Sequence, residues 1–119
     1  MFDHVTIRVS DLEESRRFYG TALALLGFGE PATDGHFYEW NDLSISQARD
    51  DRPVTHNLHV GLAARTQELV DEFHGVALAA GYRDNGAPGE RPEYHPGYYG
   101  AYVLDPDGNN VEAVFHDRR

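Results

Sequence analysis

A glutamate stands inside a stretch near the end of the chain that otherwise has the pattern of a buried strand. Glu112 alternates with Val111 and Ala113, so its carboxylate lies on the face of the strand opposite these apolar side chains. Burying a carboxylate without a partner costs several kcal/mol or more. The side chain therefore needs a partner, and a bound cation would be one.

Two histidines are the candidates to complete a cation site with this glutamate. Shifting the sequence by 55 residues aligns His4 with His59, and each lies on the polar face of an alternating strand, the first of which is predicted over residues 3–9. Two imidazoles and a carboxylate suit a divalent metal with positions left open for substrate. The chain has no cysteine, so His, Asp or Glu would hold any metal. Surface histidines, a salt bridge from Glu112 to Arg8, or a site that has lost its metal remain alternatives.

The internal repeat predicts an α+β fold made of two βαβββ modules, residues 1–50 and 56–119, within a single domain. In each copy an alternating strand leads into an amphipathic helix, and the apolar face of the strand must be covered by that helix. The polar face, which carries the two histidines, is then left for the opposite side of the sheet.

The helix and strand limits follow from capping residues and turn-forming stretches. Ser10 is expected to cap the first helix with Glu13 reaching back, and Thr66 to cap the second. The remaining strands are predicted around Phe28, at 36–40 and 43–47, around Tyr82, and at 98–104 and 110–116. Stretches rich in Pro, Gly, Asp and Asn predict loops at 30–35 and 85–97 and a linker at 49–54.

Three segments carry a resemblance to a known family: Asp3–Leu12 with Arg17–Tyr19, Leu58–Leu62, and the closing segment Leu104–Glu112. With these motifs the whole chain resembles the vicinal oxygen chelate superfamily, which includes glyoxalase I, extradiol dioxygenases, fosfomycin-resistance enzymes and bleomycin-binding proteins. The resemblance implies that the modules pair into a curved mixed-sheet funnel. It also implies a divalent Fe, Mn, Ni or Zn ion held by His4, His59 and Glu112.

One position departs from the family pattern. The fourth metal ligand of the superfamily lies on the last strand of the first module, where this chain offers Ser44 or Ser46. Serine is a poor ligand for such metals, so three protein ligands are expected. This arrangement resembles the dioxygenases more than glyoxalase I, and Tyr102 occupies a place similar to their acid/base tyrosine.

We expect further residues to act beside the three proposed ligands. Tyr102 and His95 are candidates for proton transfer. Tyr98, which shares the face of Tyr102, and Arg8 are candidates for binding the substrate, Arg8 through an anionic substituent. His36, His74 and His116 are interpreted as surface groups. The leading hypothesis is a metal-dependent lyase, isomerase or dioxygenase in which the metal chelates two neighbouring oxygens of a small-molecule substrate.

Other functional classes stay open. A bleomycin-resistance-type drug-binding protein without catalysis would suit the net charge of −10 and the tyrosine cluster. A fosfomycin-type thiol transferase would have a similar ligand set, but the sequence offers no convincing basic loop to bind a phosphonate.

Net charge and hydropathy limit the possible partners and location of the protein. The acidic charge argues against nucleic acid as a partner. No apolar run approaches the roughly 18 residues of a membrane span, and the N-terminus lacks signal-peptide features. A cytoplasmic location is therefore expected. The resemblance further implies a homodimer, because members of the family cover exposed sheet edges by pairing modules within a chain or between chains, so the metal site lies either within one chain or is shared between two.

Overall fold

Each half of the chain folds as a strand, a helix and three further strands. The computed structural model describes residues 1–117; its first unit ends at His56 and its second begins at Asn57. The first unit contains β1 (Val5–Val9), α1 (Leu12–Leu25), β2 (Ala32–Thr33), β3 (Phe37–Trp40) and β4 (Leu43–Gln47). The second contains β5 (His59–Ala63), α2 (Gln67–Ala79), β6 (Arg83–Glu90), β7 (Tyr98–Leu104) and β8 (Asn110–His116).

The two units share one sheet topology, which confirms the predicted βαβββ repeat. The strand orders are β1-β4-β3-β2 and β5-β8-β7-β6. In each unit the first strand pairs in parallel with the last, and the other pairs are antiparallel. The fold is therefore α+β with two mixed four-stranded sheets. In the described part of the chain, no helix has the length and apolar character needed to cross a membrane.

Side-chain alternation along β1 sets which face of the first sheet is buried. Ile7 and Val9 are fully buried, whereas Thr6 and Arg8 between them are only half-buried. Fully burying an Ile or Val side chain contributes about 1.5–3 kcal/mol, so this register is strongly preferred over one shifted by a residue. The polar face predicted from the sequence is confirmed.

Both helices begin at a side chain that accepts a backbone hydrogen bond. Thr66 Oγ1 accepts from Leu69 N at 3.1 Å, as predicted. In the first helix the cap is Asp11 and not Ser10, because Asp11 has the extended backbone of a cap and its Oδ1 accepts from Glu14 N at 3.1 Å.

Several predicted limits were wrong. Strand β1 begins at Val5, so His4 lies immediately before it, and the strand expected around Phe28 is instead the two-residue β2 within the predicted loop. The first part of the loop predicted at 85–97, residues 85–90, belongs instead to the strand β6. Its Gly and Pro residues are accommodated by register shifts around Gly86, while the backbone still pairs with β7.

Candidate functional site

Glu112 lies in the middle of β8 with only 3% of its surface exposed. It faces Tyr102 across the antiparallel pair with β7 and Gly61 across the parallel pair with β5. Because neighbouring strands carry their side chains on matching faces, this register gathers the functional groups of β5, β7 and β8 around one carboxylate.

Both oxygens of this carboxylate have partners. Oε1 lies 2.6 Å from Nε2 of His59, and Oε2 accepts a hydrogen bond of 2.5 Å from the hydroxyl of Tyr98. The side chain of His59 is 54% exposed, while that of Glu112 is 4% exposed. The pair thus joins a buried carboxylate to an imidazole that solutes can reach.

Two glycines make room for the carboxylate. A Cβ added at Gly100 would stand 3.1 Å from Glu112 Oε2, and one at Gly61 would stand 3.8 Å from Oε1. Glycine inside a strand often marks the close approach of another group. The glutamate therefore occupies space that an alanine at position 100 would restrict.

Two tyrosines next to the carboxylate are held in their neutral form. Burial, together with the hydrogen bond to Glu112, raises the pKa of Tyr98 well above its usual value. Burial and the nearby Glu112 charge raise the pKa of Tyr102. The ring of Tyr102 lies 6.2 Å from that of His59, and the guanidinium of Arg91 lies 5.3 Å from the Tyr102 ring centre. A neutral phenol in this place is suited to donate a proton.

Two predicted residues of the site, His4 and Arg8, lie in the first unit. The side chain of His4 is 56% exposed and its Nδ1 lies 2.8 Å from Asp3 Oδ1. The hydrogen bond to Asp3, and then the charge of that residue, raise the pKa of His4. Arg8 is fixed through its backbone, whose N–H donates to Thr55 Oγ1 at 2.9 Å.

Sheet register decides which serine corresponds to Glu112. Thr6 and Gly61 follow the two repeated histidines by two residues, and they pair with Ser44 and Glu112 respectively. Ser44, rather than Ser46, is therefore the counterpart of the glutamate in the first unit. Within residues 1–117, no group of three or more His, Asp or Glu side chains is arranged to hold a metal ion.

A second group of rings lies against Tyr98. His95 and His116 are in contact with each other, and the Tyr98 ring packs edge-on against both, with centres 5.5 and 5.1 Å away. Tyr94 completes the group at 4.8 Å from Tyr98. His95 does reach the surroundings of Glu112, but through the ring of Tyr98.

Two of the histidines interpreted as surface groups were assigned wrongly. His116 is half-buried against His95, and His74 is buried with its Nε2 2.9 Å from Asp84 Oδ1. Both lie on regular elements whose inner faces the sequence pattern did not resolve.

Sequence reasoning missed Gly61, Gly100 and Arg91 as parts of the surroundings of Glu112. The two glycines had a usable signal, because each interrupts an otherwise apolar or aromatic strand. Arg91 had none, since it follows a segment that the composition marked as a loop.

Known proteins are similar to this chain over nearly its whole length. The family model of the Glyoxalase/Bleomycin resistance protein/Dioxygenase superfamily matches residues 1–113. The uncharacterized protein YqjT of Bacillus subtilis is 33% identical over 127 residues, which span 93% of this chain and 95% of that protein.

Two solved structures extend the similarity. A glyoxalase/bleomycin resistance protein from Albidiferax ferrireducens is 33% identical with a TM-score of 0.86, covering 98% of this chain and 99% of that one. A putative glyoxalase from Bacillus halodurans is 26% identical with a TM-score of 0.75, covering 97% and 95% of the two chains.

Proposed function

The chain belongs to the glyoxalase/bleomycin resistance protein/dioxygenase superfamily, and from that premise we propose that it is a small metal-dependent enzyme of the vicinal oxygen chelate type. A divalent Fe, Mn, Ni or Zn ion would chelate two neighbouring oxygens of a small-molecule substrate. The observation that carries the proposal is the 2.6 Å contact between His59 Nε2 and Glu112 Oε1, which brings two metal-ligating atoms together beside solvent.

The donor types of the proposed ligands suit such a metal. His59 and Glu112 would supply an imidazole nitrogen and a carboxylate oxygen, and His4 is proposed as the second, well-exposed imidazole. Imidazole with carboxylate suits the first-row metals named above. Ser44 stands where a fourth ligand would be, so we expect three protein ligands and positions open to substrate.

Glu112 would bind through a single oxygen. The Tyr98 hydroxyl donates to Oε2, which leaves Oε1 as the atom directed at His59. Outer hydrogen bonds of this kind orient ligands and are commonly worth about 10–100-fold in metal affinity. Tyr98 is thus a positioning residue, and its ring edge also offers a contact for substrate.

A metal held by these residues would supply Lewis-acid stabilisation of negative charge on a substrate. Tyr102 is proposed to donate a proton to the substrate, because its phenol is protonated at neutral pH and lies beside Glu112 on the paired strand. His95 is the second candidate for moving protons, from the ring group beside Tyr98. Arg8 is proposed to bind an anionic substituent of the substrate. Both lyase or isomerase and dioxygenase chemistry are compatible with this set of groups.

A drug-binding protein without catalysis is the second candidate. The net charge of −10 and the exposed ring of Tyr94 favour a cationic aromatic ligand. Such a protein has no need of Glu112 held between His59 and Tyr98. Metal content after purification separates the two functions, because the enzyme retains a stoichiometric divalent ion and the binding protein does not.

The setting proposed for this enzyme is a cytoplasmic homodimer that engages neither nucleic acid nor membrane. The acidic charge supports the exclusion of nucleic acid.

Isothermal titration calorimetry with Mn²⁺, Fe²⁺, Ni²⁺ and Zn²⁺ tests the metal site. Glu112→Ala and His59→Asn should each weaken binding by about 10-fold or more. Glu93→Ala and His56→Asn are matched controls, because both residues are exposed and lie outside the site. Equal affinity in the wild type and Glu112→Ala would refute the assignment.

A further inference from the structure

His95 and His116 form a pair of imidazoles whose nitrogens face each other. His95 Nε2 lies 2.9 Å from His116 Nδ1, the ring centres are 5.0 Å apart and the ring planes differ by 20°. His95 lies in the turn before β7, His116 ends β8, and both are half-buried. Neither residue is among the proposed ligands His4, His59 and Glu112, and an ion bound to His95 would exclude the proton-transfer role considered for it above.

The hydrogen bonds of this pair fix the tautomer of His95. Its Nδ1 lies 2.7 Å from the carbonyl oxygen of Pro96, which can only accept, so Nδ1 carries the proton. In neutral His95 the lone pair is therefore on Nε2 and is directed at His116. Metal-binding histidines almost always have this arrangement, with one nitrogen on the metal and the other donating to a carbonyl or carboxylate.

The spacing of the two rings is that of ligands on one ion. With metal–nitrogen bonds of about 2.0–2.1 Å and an angle of roughly 100°, two imidazoles place their nitrogens about 3.1 Å apart and their ring centres about 4.9 Å apart. The observed 2.9 and 5.0 Å differ from these values by only a few tenths of an ångström. The rings need to tilt toward a common point, but they need not move together or apart.

We infer that His95 and His116 form a second metal site, distinct from the one around Glu112, for a divalent transition metal such as Ni²⁺, Cu²⁺ or Zn²⁺. The ion takes the place of the proton between the two nitrogens. That proton moves to Nε2 of His116, so both imidazoles stay neutral and no oxidant or reductant is involved. Water fills the other positions, and the acidic charge of the chain favours a cation.

Tyr98 separates this site from the first. Its hydroxyl donates to Glu112 at 2.5 Å, and its ring edge packs against both imidazoles. The two histidines of the pair can therefore bind an ion without sharing a ligand with the site around Glu112.

The experiment removes the first site and keeps the second. In a His4→Asn, His59→Asn, Glu112→Gln variant, calorimetry with Ni²⁺ should still show one bound ion per chain. Adding His116→Asn or His95→Asn should weaken that binding by about tenfold or more, since one of two imidazole ligands is lost. His36→Asn is the matched control, because the His36 side chain is 90% exposed and lies far along the chain from the pair. It should leave the affinity unchanged.

Nuclear magnetic resonance of the imidazole nitrogens locates the ion without further substitutions. In the triple variant, stoichiometric Ni²⁺ should broaden the signals of His95 and His116 before those of His36 and His56. No Ni²⁺ binding in the triple variant, unchanged binding after His116→Asn, or broadening spread equally over all histidines would each overturn the second site. None of these results bears on His59 and Glu112, whose test uses the wild-type chain.

Discussion

Gly100 lies directly beside the carboxylate of Glu112, on the neighbouring strand. A Cβ at Gly100 would stand 3.1 Å from Oε2 of Glu112 and 3.3 Å from Cε1 of Tyr98, which is tighter than most contacts of a real Cβ. The position of Glu112, a proposed metal ligand, therefore depends on the absence of a side chain at residue 100. On the other flank, Gly61 leaves an ordinary contact distance of 3.8 Å.

We predict that Gly100→Ala weakens metal binding while Gly61→Ala does not. The new methyl group at position 100 presses on the carboxylate and the Tyr98 ring at once, and overpacking of this kind costs about 1–3 kcal/mol. Calorimetry with Mn²⁺ gives the affinity, and thermal unfolding gives the stability. If the two alanine variants bind metal equally well, Gly100 has no part in placing the ligand.

Tyr98→Phe is expected to lower both stability and metal affinity. It removes the hydroxyl that donates to Glu112 Oε2 and leaves a buried oxygen without that partner, at a cost of about 1–3 kcal/mol. Tyr94→Phe is the control, because Tyr94 is 61% exposed. Urea unfolding of both variants measures the effect, and a Tyr98→Phe protein as stable as the control would contradict it.

The sequence predicted the repeated strands because these depend on local patterns, whereas the ligand set His4, His59 and Glu112 stays a prediction. Alternation placed Ile7 and Val9 inside, and the limits of β4, β7 and β8 were correct to the residue. The contacts of Glu112 with His59 and Tyr98 depend on which residues pair across three strands. A single sequence reports residue types and spacing, but register and side-chain direction arise only from packing.

In the segment 83–90, local composition predicted the wrong structure. Its Gly, Pro, Asp and Asn content is typical of a loop, yet it forms β6, because pairing with β7 satisfies its backbone hydrogen bonds. Tertiary pairing here overrides local preference. The fold also buries His74 beside Asp84, and the spacing of these residues in the sequence does not predict the contact.

The His74–Asp84 contact should make stability depend on acid pH. The hydrogen bond from His74, and then that from the Gly86 backbone, lower the pKa of Asp84 below its usual 3.8. A carboxyl group with a lowered folded-state pKa stabilises the protein above its unfolded pKa and loses this contribution as pH falls through the folded value. Asp84→Asn should therefore be less stable than wild type at pH 6, and the difference should shrink below about pH 4.

The control for that experiment is Asp50→Asn, since Asp50 is exposed. Its stability should follow that of the wild type across the same range. A wild-type advantage over Asp84→Asn that stays constant down to pH 2 would show that the charge of Asp84 is not responsible.

The contact of Tyr99 should make stability depend on alkaline pH, in the opposite direction. Its hydroxyl donates to Asp71 Oδ1 at 2.6 Å and ties β7 to α2, and this hydrogen bond is the main cause that raises the pKa of Tyr99 to about 12. A group with a raised folded-state pKa stabilises fully below its unfolded pKa of about 10 and loses this contribution as pH rises toward 12. Tyr99→Phe should be less stable than wild type at pH 8, with the gap closing above pH 10. Unfolding of both proteins at a series of pH values checks this, and a gap independent of pH would contradict it.

His4 offers the sharpest test of the proposed ligand set, because it lies in the first unit while His59 and Glu112 lie in the second. We expect His4→Ala and Glu112→Ala each to lose tight metal binding when studied alone. If the site is shared in a homodimer, mixed dimers of the two variants regain one intact site, so an equal mixture recovers about a quarter of the wild-type sites. A site within one chain recovers none. Calorimetry before and after subunit exchange distinguishes these arrangements. A tag on one of the two variants allows mixed dimers to be recognised by their mass. Wild-type affinity in His4→Ala alone would remove His4 from the site in either case.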